Sequence, residues 1–389
     1  MEGRENGVDA KKRIVAAGHI CLDITPIFPG ETEKRVEKIL TPGRLIHMKG
    51  VDIHTGGSAA NTGLALQFMG ADVRILGKIG MDNFGEIIRG TLKKYGVTKG
   101  LIQDGNCGTS YSMILAIPGI DRIFLHDPGA NDTYGPEDIP EEELEGIELI
   151  HFGYPPLMKR MYQGRGEELE RILRRVKEKH IPISLDMAAV DEESPAGNAD
   201  WIGILKNILP LVDIFLPSIE ELLFMADRER YKDIQTRAAG RDITQILNIR
   251  EDVMPLANKM LEWGAGIVLI KCGSAGLYLA CADRERLRDL QTSAGIDAEK
   301  WEKKTLFEAS YKPACVCSGT GAGDTCIAAF LMGVLLKKTP EECAKLAAAQ
   351  GASCVEAYDA LGGLRTIEEL EARIARGWEK NAAIYENIS

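Results

Sequence analysis

The segment that most constrains this chain is a glycine-rich loop followed directly by a long apolar run, at residues 318–336. The loop reads Ser-Gly-Thr-Gly-Ala-Gly-Asp-Thr, and the apolar residues after it predict a buried helix. Glycines allow the backbone to come close to a ligand, and the N–H groups at a helix start favour an anion. We predict that the loop holds a transferring phosphoryl group while Asp324 accepts the proton of an alcohol. The alternative is a glycine-rich turn in which Asp324 caps the helix.

Composition and charge narrow the class of protein. The 389 residues suit one large α/β domain or two smaller ones, and the formal net charge of −11 disfavours a nucleic acid as the main partner. The first ten residues are polar and no uncharged apolar run reaches membrane-spanning length. The sequence therefore predicts a cytoplasmic protein with no nucleic-acid or membrane partner.

The nine cysteines are scattered without a C-x-x-C pair. Several lie in apolar runs, which favours reduced, mostly buried thiols over a disulfide framework or a zinc site. Cys315 and Cys317 belong to a strand-like run, in which residues two apart share a face. A metal bound by this pair is the weaker interpretation.

The first predicted strand, Arg13 to His19, leads into Asp23. A carboxylate just past the end of an α/β strand lies where such folds bind ligands. Asp23 is therefore a candidate acceptor of hydrogen bonds from substrate hydroxyls, and a solvated loop aspartate is the alternative. The residues that follow, 25–54, contain three prolines and a cluster of charges, and we interpret them as loop and strands of a lid.

A second small-residue segment, at residues 55–61, precedes a predicted helix that Gly70 ends. Gly56 and Gly57 allow close approach of the backbone to a ligand, and Asn61 offers both a donor and an acceptor. The alternative is tight packing of helix against strand, with Asn61 as a cap.

A second β excursion is predicted as a hairpin, with strands at residues 109–117 and 122–126. This hairpin is expected to pair with the excursion at 25–54. Arg122 then projects near the site, where it meets a phosphate or a carboxylate. A simple surface arginine is the alternative for this residue.

From about residue 148 the chain alternates between strands and helices, which predicts a mainly parallel sheet covered by helices. Two highly charged segments, 227–252 and 283–304, are interpreted as helical or loop excursions with a solvated face. The spacing of charged residues after Thr366 is typical of a helix.

The chain closely resembles the PfkB-type, ribokinase-like carbohydrate kinases. The resemblance rests on the two glycine-rich segments, at residues 55–61 and 318–325, on the lid and on the parallel sheet. The resemblance extends over about residues 12–365 and implies a three-layer α/β/α core with a mainly parallel central sheet and a small β-sheet lid. The kinase domain is expected at residues 11–376, with lid segments at about 24–55 and 107–131 and a C-terminal tail at 377–389. The implied activity is ATP-dependent transfer of the γ-phosphoryl group to a primary hydroxyl of a sugar.

The resemblance also implies roles for individual residues. Asp324 is the expected catalytic base, and the backbone of 321–323 is the expected anion hole, formed by Gly321, Ala322 and Gly323. The expected sugar contacts are Asp23, Gly56, Gly57 and Asn61, to which the hairpin adds Arg122. The expected nucleotide contacts are Ser218, Lys271, Gly273 and Gly276. Glu221 retains the carboxylate of an element that the family uses near Mg²⁺, and we expect it to act through water.

Several positions depart from the family pattern. Ser318 and Gly319 stand where an Asp-Thr pair is common, so activation by a monovalent cation such as K⁺ is the least supported cofactor prediction. Ser218 replaces an asparagine, and Ser58 replaces the lysine of ribokinase-type sequences, which weakens ribose as the specific substrate. The exposed edges of the lid strands predict a homodimer formed through the lid.

Two further functions fit the same residues. A nucleoside kinase of the same fold needs rings that stack on a base, for which Tyr111, Phe28 and Phe124 are candidates. A ligand-sensing protein on a degraded kinase fold agrees with the changes at 318–319 but not with the retained Asp324. An NAD-dependent dehydrogenase is disfavoured because the loop lacks the G-x-G-x-x-G spacing.

Overall fold

The computed structural model describes residues 11–29, 36–117 and 123–381. In chain order the strands are β1 (Arg13–Gly18), β2 (Cys21–Ile27), β3 (Gly50–Gly56), β4 (Asp72–Leu76), β5 (Lys78–Gly80), β6 (Ile102–Asp104), β7 (Tyr111–Leu115), β8 (Ile123–Asp127), β9 (Leu149–Gly153), β10 (Ile183–Leu185), β11 (Ile214–Phe215), β12 (Ile267–Lys271), β13 (Gly276–Cys281) and β14 (Thr305–Ala309).

The helices are, in chain order, α1 (Val36–Ile39), α2 (Ser58–Phe68), α3 (Asn83–Lys94), α4 (Lys159–Tyr162), α5 (Glu167–Glu178), α6 (Trp201–Ile208), α7 (Ile219–Ala226), α8 (Arg228–Ala238), α9 (Met254–Glu262), α10 (Arg288–Ala294), α11 (Ala298–Trp301), α12 (Ala322–Leu335), α13 (Pro340–Cys354) and α14 (Ile367–Ala375). Within the described ranges, none of these helices combines the length and the apolar character needed to cross a membrane.

The central sheet has eight strands in the order β14-β13-β12-β11-β10-β9-β1-β4. Neighbouring strands from β12 to β4 pair in parallel, and β13 and β14 add an antiparallel edge. The inner parallel strands β9, β10 and β11 are buried along their whole length, as expected of a sheet that helices cover on both faces. One layer of core contains residues of α2, α12 and α13, and the other contains residues of α5, α6, α7 and α9. The predicted three-layer, mainly parallel architecture is confirmed.

A smaller sheet with the strand order β3-β2-β7-β8 forms the lid. The predicted hairpin pairs through β7 with β2, but the paired residues of β2 are 22–24, which precede the segment 25–54 with which the pairing was expected. The lid begins earlier than predicted, because the ladder with β3 starts at Cys21. Asp23 consequently lies within a lid strand rather than in a loop after β1.

Several element boundaries differ from the sequence prediction. The apolar residues after α2 form two strands rather than one, because β5 leaves the central sheet and pairs with β6. The charged segments fold as α8, α10 and α11 with neighbouring turns, and they are not only solvated faces. They bury apolar side chains in the core, among them Ile234 and Trp301.

The residues after α14 pack against the core. The ring of Trp378 stacks on that of Tyr311, with centroids 4.8 Å apart. The Asn381 N–H donates to the Ser310 carbonyl at 2.9 Å, and the Asn381 amide donates to the Ser274 carbonyl at 3.1 Å. The first five residues of the predicted tail, 377–381, therefore belong to the folded domain.

Candidate active site

The glycine-rich loop runs into the first turn of α12, as predicted. Gly321 is the N-cap with φ 74°, and no side chain caps the helix. A Cβ on Gly321 would lie 2.2 Å from the Cβ of Ala360, so the close packing there requires glycine. The first N–H groups of a helix have no acceptor within it, and the helix dipole adds positive potential. The backbone from Gly321 to Asp324 is thus suited to an anion, and within it the Ala322 N–H also donates to the Gly319 carbonyl at 3.3 Å.

Asp324 is buried and does not serve as a helix cap. Its Oδ2 accepts a hydrogen bond from Asn61 Nδ2 at 2.9 Å, and its Oδ1 accepts one from the Tyr154 hydroxyl at 2.9 Å. Burial raises the pKa of this carboxyl, while Asn61, the charge of Lys271 and Tyr154 oppose the rise. Each carboxylate oxygen retains a second lone pair, so the group can still accept a proton from a hydroxyl.

Tyr154 was not among the predicted site residues. It follows β9 directly and has φ 62°, a left-handed conformation that is uncommon for a bulky side chain. Burial, with the charge of Asp324 next, raises the pKa of the phenol well above its ordinary value, so the hydroxyl stays a neutral donor. Its position at the carboxyl end of a parallel strand is the signal that could have identified it.

One cavity of about 710 Å³ lies on the α7 and β12 side of the loop. Tyr154, Ala322 and Gly323 contribute to its wall. The structure also brings the predicted nucleotide contacts to this cavity, namely Ser218, Lys271, Gly273 and Gly276, together with Glu221.

Lys271 is held by a partner that sequence reasoning missed. Its Nζ lies 2.7 Å from Asp186 Oδ1 and 2.7 Å from the Leu216 carbonyl. Burial opposes the charge of Lys271, but Asp186 and Glu221 outweigh it, and the net effect raises the pKa of the ammonium. A Cβ on Gly323 would lie 3.8 Å from Lys271 Nζ, so the ammonium lies beside the loop. Asp186 follows β10 as Tyr154 follows β9.

Ser218 and Glu221 form a capping box at the start of α7. The Ser218 N–H donates to Glu221 Oε2 at 2.7 Å, and the Glu221 N–H donates to Ser218 Oγ at 3.3 Å. This box fixes the Glu221 carboxylate at the cavity wall. In the described ranges no group of three or more His, Cys, Asp or Glu side chains could hold a metal ion. The donors fit Mg²⁺ only in its usual hydrated form, with one or two carboxylates and the remaining ligands from water and phosphate.

A second cavity of about 790 Å³ lies between the lid and the loop. Asp23, His54 and Asn61 line it, and Phe28, Ile114 and Ile117 form an apolar wall. Val316 and Gly319 line both cavities, so the two spaces meet at the glycine-rich loop.

Asp23 faces this second cavity from β2. Burial raises the pKa of its carboxyl to about 6, and hydrogen bonds from Cys21 and Ser112 limit the rise. Gly56 lies against the carboxylate, since a Cβ there would be 2.3 Å from Asp23 Oδ2. Gly57 is the N-cap of α2, the helix that carries Asn61. Arg122 lies outside the described residues.

Comparison with known proteins identifies the fold and its family. The sequence model of the pfkB family of carbohydrate kinases matches residues 13–367. This chain is a member of that family. The kinase, a phosphotransferase, is 28% identical over 303 residues to an uncharacterized sugar kinase of Archaeoglobus fulgidus, covering 77% of this chain and 98% of the relative.

Two solved structures share the fold of the kinase. Arabidopsis thaliana ribokinase, complexed with ribose and ATP, superposes with a TM-score of 0.67 at 20% identity, covering 93% of this chain and 98% of that chain. The nucleoside kinase of Methanocaldococcus jannaschii gives a TM-score of 0.63 at 17% identity, covering 94% and 98%.

Proposed function

We propose that this kinase transfers the γ-phosphoryl group of ATP to a primary hydroxyl of a carbohydrate, with Asp324 as the general base. The observation that carries the proposal is that the Asp324 carboxylate is bound by one residue from the wall of each cavity. Asn61 lines the lid-side cavity and Tyr154 lines the other, and both bind the Asp324 carboxylate. An acceptor on one side and a nucleotide on the other would therefore meet at this residue.

The residues around Asp324 supply what phosphoryl transfer requires. The backbone N–H groups at 321–323 would stabilise charge on the γ-phosphoryl oxygens, and Lys271 beside them would add positive charge. Ser218, Gly273 and Gly276 would border the nucleotide. Mg²⁺, when bound, neutralises charge on nucleotide phosphates, and Glu221 would hold it through water. Asp324 would accept the proton as the acceptor oxygen attacks.

Tyr154→Phe is expected to shift the pH profile of the reaction. The base acts only when ionised, so kcat/KM falls as pH drops through the pKa of Asp324. The variant loses a hydrogen bond that lowers this pKa, and the acid limb should move to higher pH. A pH series of kcat/KM on wild type and variant measures the shift. Lower activity with an unchanged acid limb would reduce Tyr154 to a packing role. Tyr358→Phe, at an exposed tyrosine of the lid-side cavity, is the matched control.

Asp23→Asn is expected to weaken binding of the acceptor and to leave binding of ATP unchanged. Above pH 6 the Asp23 carboxylate is ionised and accepts hydrogen bonds from hydroxyls, which are worth about 1.5–3 kcal/mol to a charged group. The KM for the acceptor should rise roughly 10-fold or more, and the KM for ATP should change little. In wild type, the acceptor KM should also rise as pH falls through about 6, because the carboxyl becomes protonated. Equal changes in both KM values would contradict this role.

We also propose a homodimer formed through the lid. A row of apolar side chains crosses the four lid strands on one face, at Ile53, Ile24, Met113 and Leu125. Ile53 and Leu125 are exposed. Light scattering at micromolar concentration should give twice the chain mass, and Leu125→Asp should shift the protein to the monomer. A monomeric wild type would contradict the dimer.

A nucleoside kinase is the second candidate, and one observation favours it. Phe28, Ile114 and Ile117 give the lid-side cavity an apolar wall suited to a base. Of the other stacking candidates, Tyr111 packs edge-on against Phe84 with centroids 5.5 Å apart, and Phe124 is exposed on the lid. ADP release measured with a panel of sugars and nucleosides separates the two functions.

A further inference from the structure

Two cysteines stand directly before the glycine-rich loop and face each other. The Sγ atoms of Cys315 and Cys317 are 3.7 Å apart. Cys315 is exposed and Cys317 is half-buried, whereas six of the nine cysteines are buried. The mechanism above uses neither thiol, although both are accessible and close enough to react with each other.

The segment that carries this pair is fixed at both ends. The Ala314 N–H donates to Glu356 Oε1 at 2.8 Å, and the Cys317 N–H donates to the Val355 carbonyl at 2.8 Å. Val316, between the cysteines, is 75% exposed and lines both cavities. Any change in the distance between the thiols therefore has to be accommodated by Val316 and by the loop that starts at Ser318.

We propose that Cys315 and Cys317 are a redox-sensitive dithiol whose oxidation to an intrachain disulfide impairs phosphoryl transfer. The oxidant is a low-molecular-weight disulfide of the glutathione type. The thiolate of exposed Cys315 attacks one sulfur of that disulfide and releases one thiol. Cys317 then attacks the Cys315 sulfur and releases the second thiol. Two protein thiols are oxidised, one external disulfide is reduced to two thiols, and both protons pass to those products.

The geometry gives the disulfide a direct effect on both cavities. The sulfurs must approach from 3.7 Å to about 2.05 Å. Closing a ring across a single residue between two anchored positions displaces Val316 and moves the backbone that enters the anion hole. A misplacement on the order of 1 Å near a reacting group can cost ~10²-fold in rate. A strained, exposed disulfide is also easily reduced, so the change is reversible.

The test treats the full-length protein with oxidised glutathione and measures the mass of the peptide that spans residues 313–336, the affinity for ATP and the turnover. The expected result is a peptide that has lost two hydrogens, with turnover lower by roughly 10²-fold or a weaker affinity for ATP, and dithiothreitol should restore the original value. Cys315→Ser should have normal basal activity and resist the loss. Cys107→Ser, at the other half-buried cysteine, should respond like wild type.

Two outcomes overturn the inference. One is the absence of the cross-linked peptide from treated wild type, and the other is a cross-linked protein with unchanged ATP affinity and turnover. The inference rests on the proposed function for its effect on turnover. Because the peptide mass and the ATP affinity need no acceptor, a protein that is inactive with every acceptor would contradict the proposed function alone.

Discussion

Replacing Asp324 with asparagine is expected to leave the fold intact and to lower turnover by roughly 10²–10⁴-fold, the usual contribution of a positioned general base. The amide has the shape of the carboxylate and can still bond to Asn61 and Tyr154, which reach Asp324 at 2.9 Å each. It cannot accept a proton from the acceptor hydroxyl. Steady-state turnover of wild type and Asp324→Asn, each at saturating ATP, measures the loss.

The control for this experiment separates chemistry from folding. Asp324→Asn should unfold at a denaturant concentration close to that of wild type and should bind ATP with similar affinity. Asp72→Asn, at an exposed aspartate at the start of β4, should keep wild-type turnover. Near-wild-type turnover of Asp324→Asn would remove the base from the proposal, and a large loss of stability would show that Asp324 has a structural role instead.

Lys271→Met is expected to destabilise the protein by about 3 kcal/mol or more and to weaken ATP binding. The side chains of Lys271 and Asp186 are 12% and 2% exposed, and their charged atoms are 2.7 Å apart. Removing one partner of a buried ion pair leaves the other charge without compensation, which typically costs 3–5 kcal/mol. Urea unfolding measures the loss of stability, and calorimetric titration measures the affinity for ATP.

The loss of stability in Lys271→Met should depend on pH. Burial raises the pKa of Asp186 and Lys271 opposes that rise, so the variant raises this pKa further. A carboxyl whose pKa is higher in the folded state holds a proton that the unfolded chain releases. Stability therefore falls as pH rises from the unfolded pKa of about 4 towards the folded one. Because the pKa of Asp186 in wild type is already raised to about 8, wild type and variant share this fall below that pH. The deficit of the variant should therefore widen as pH rises above about 8, where wild type releases the proton and the variant retains it.

A double variant gives the matched control for the ion pair. Lys271→Met with Asp186→Asn removes both charges, so part of the lost stability should return. The affinity for ATP should remain low in both variants, because neither has the ammonium beside the loop. If the double variant is no more stable than Lys271→Met alone, the ion pair does not account for the loss.

The parts of the site that could be predicted from sequence are those encoded in short segments. The loop at 318–325, the small-residue segment that contains Asn61 and the Ser218–Glu221 box each have a local pattern of glycines or caps. The structure brings Asn61 to Asp324, Ser218 and Glu221 to the 710 Å³ cavity and Asp23 to the 790 Å³ cavity. Their catalytic and binding roles stay predictions until the variants are measured.

The contacts that were missed join residues that are far apart in sequence. Tyr154 reaches Asp324 across 170 positions, and Asp186 reaches Lys271 across 85. No local pattern shows which side chain a buried carboxylate or ammonium will meet. Both residues nevertheless follow strands of the parallel sheet, β9 and β10, whose ends lie at the same edge. Asp23 is a candidate because it follows the end of a strand. The same rule, applied to the ends of β9 and β10, identifies Tyr154 and Asp186.

Two other differences have a similar cause. Asp23 is expected just past the end of the first strand, and only the partner strands β3 and β7 define its segment as a lid strand. Residues 377–381 are predicted to belong to a C-terminal tail. Their packing depends on the distant Tyr311 and Ser310, and the sequence of the tail does not reveal that contact.

The most direct test of phosphoryl transfer at this site is ADP formation from ATP with a panel of sugars, sugar acids and nucleosides, combined with the mass of each product. The proposal predicts that one class of acceptor increases ADP formation and gains a single phosphoryl group on a hydroxyl, and that Asp324→Asn loses this increase. ADP formation that is the same with and without every acceptor would contradict it.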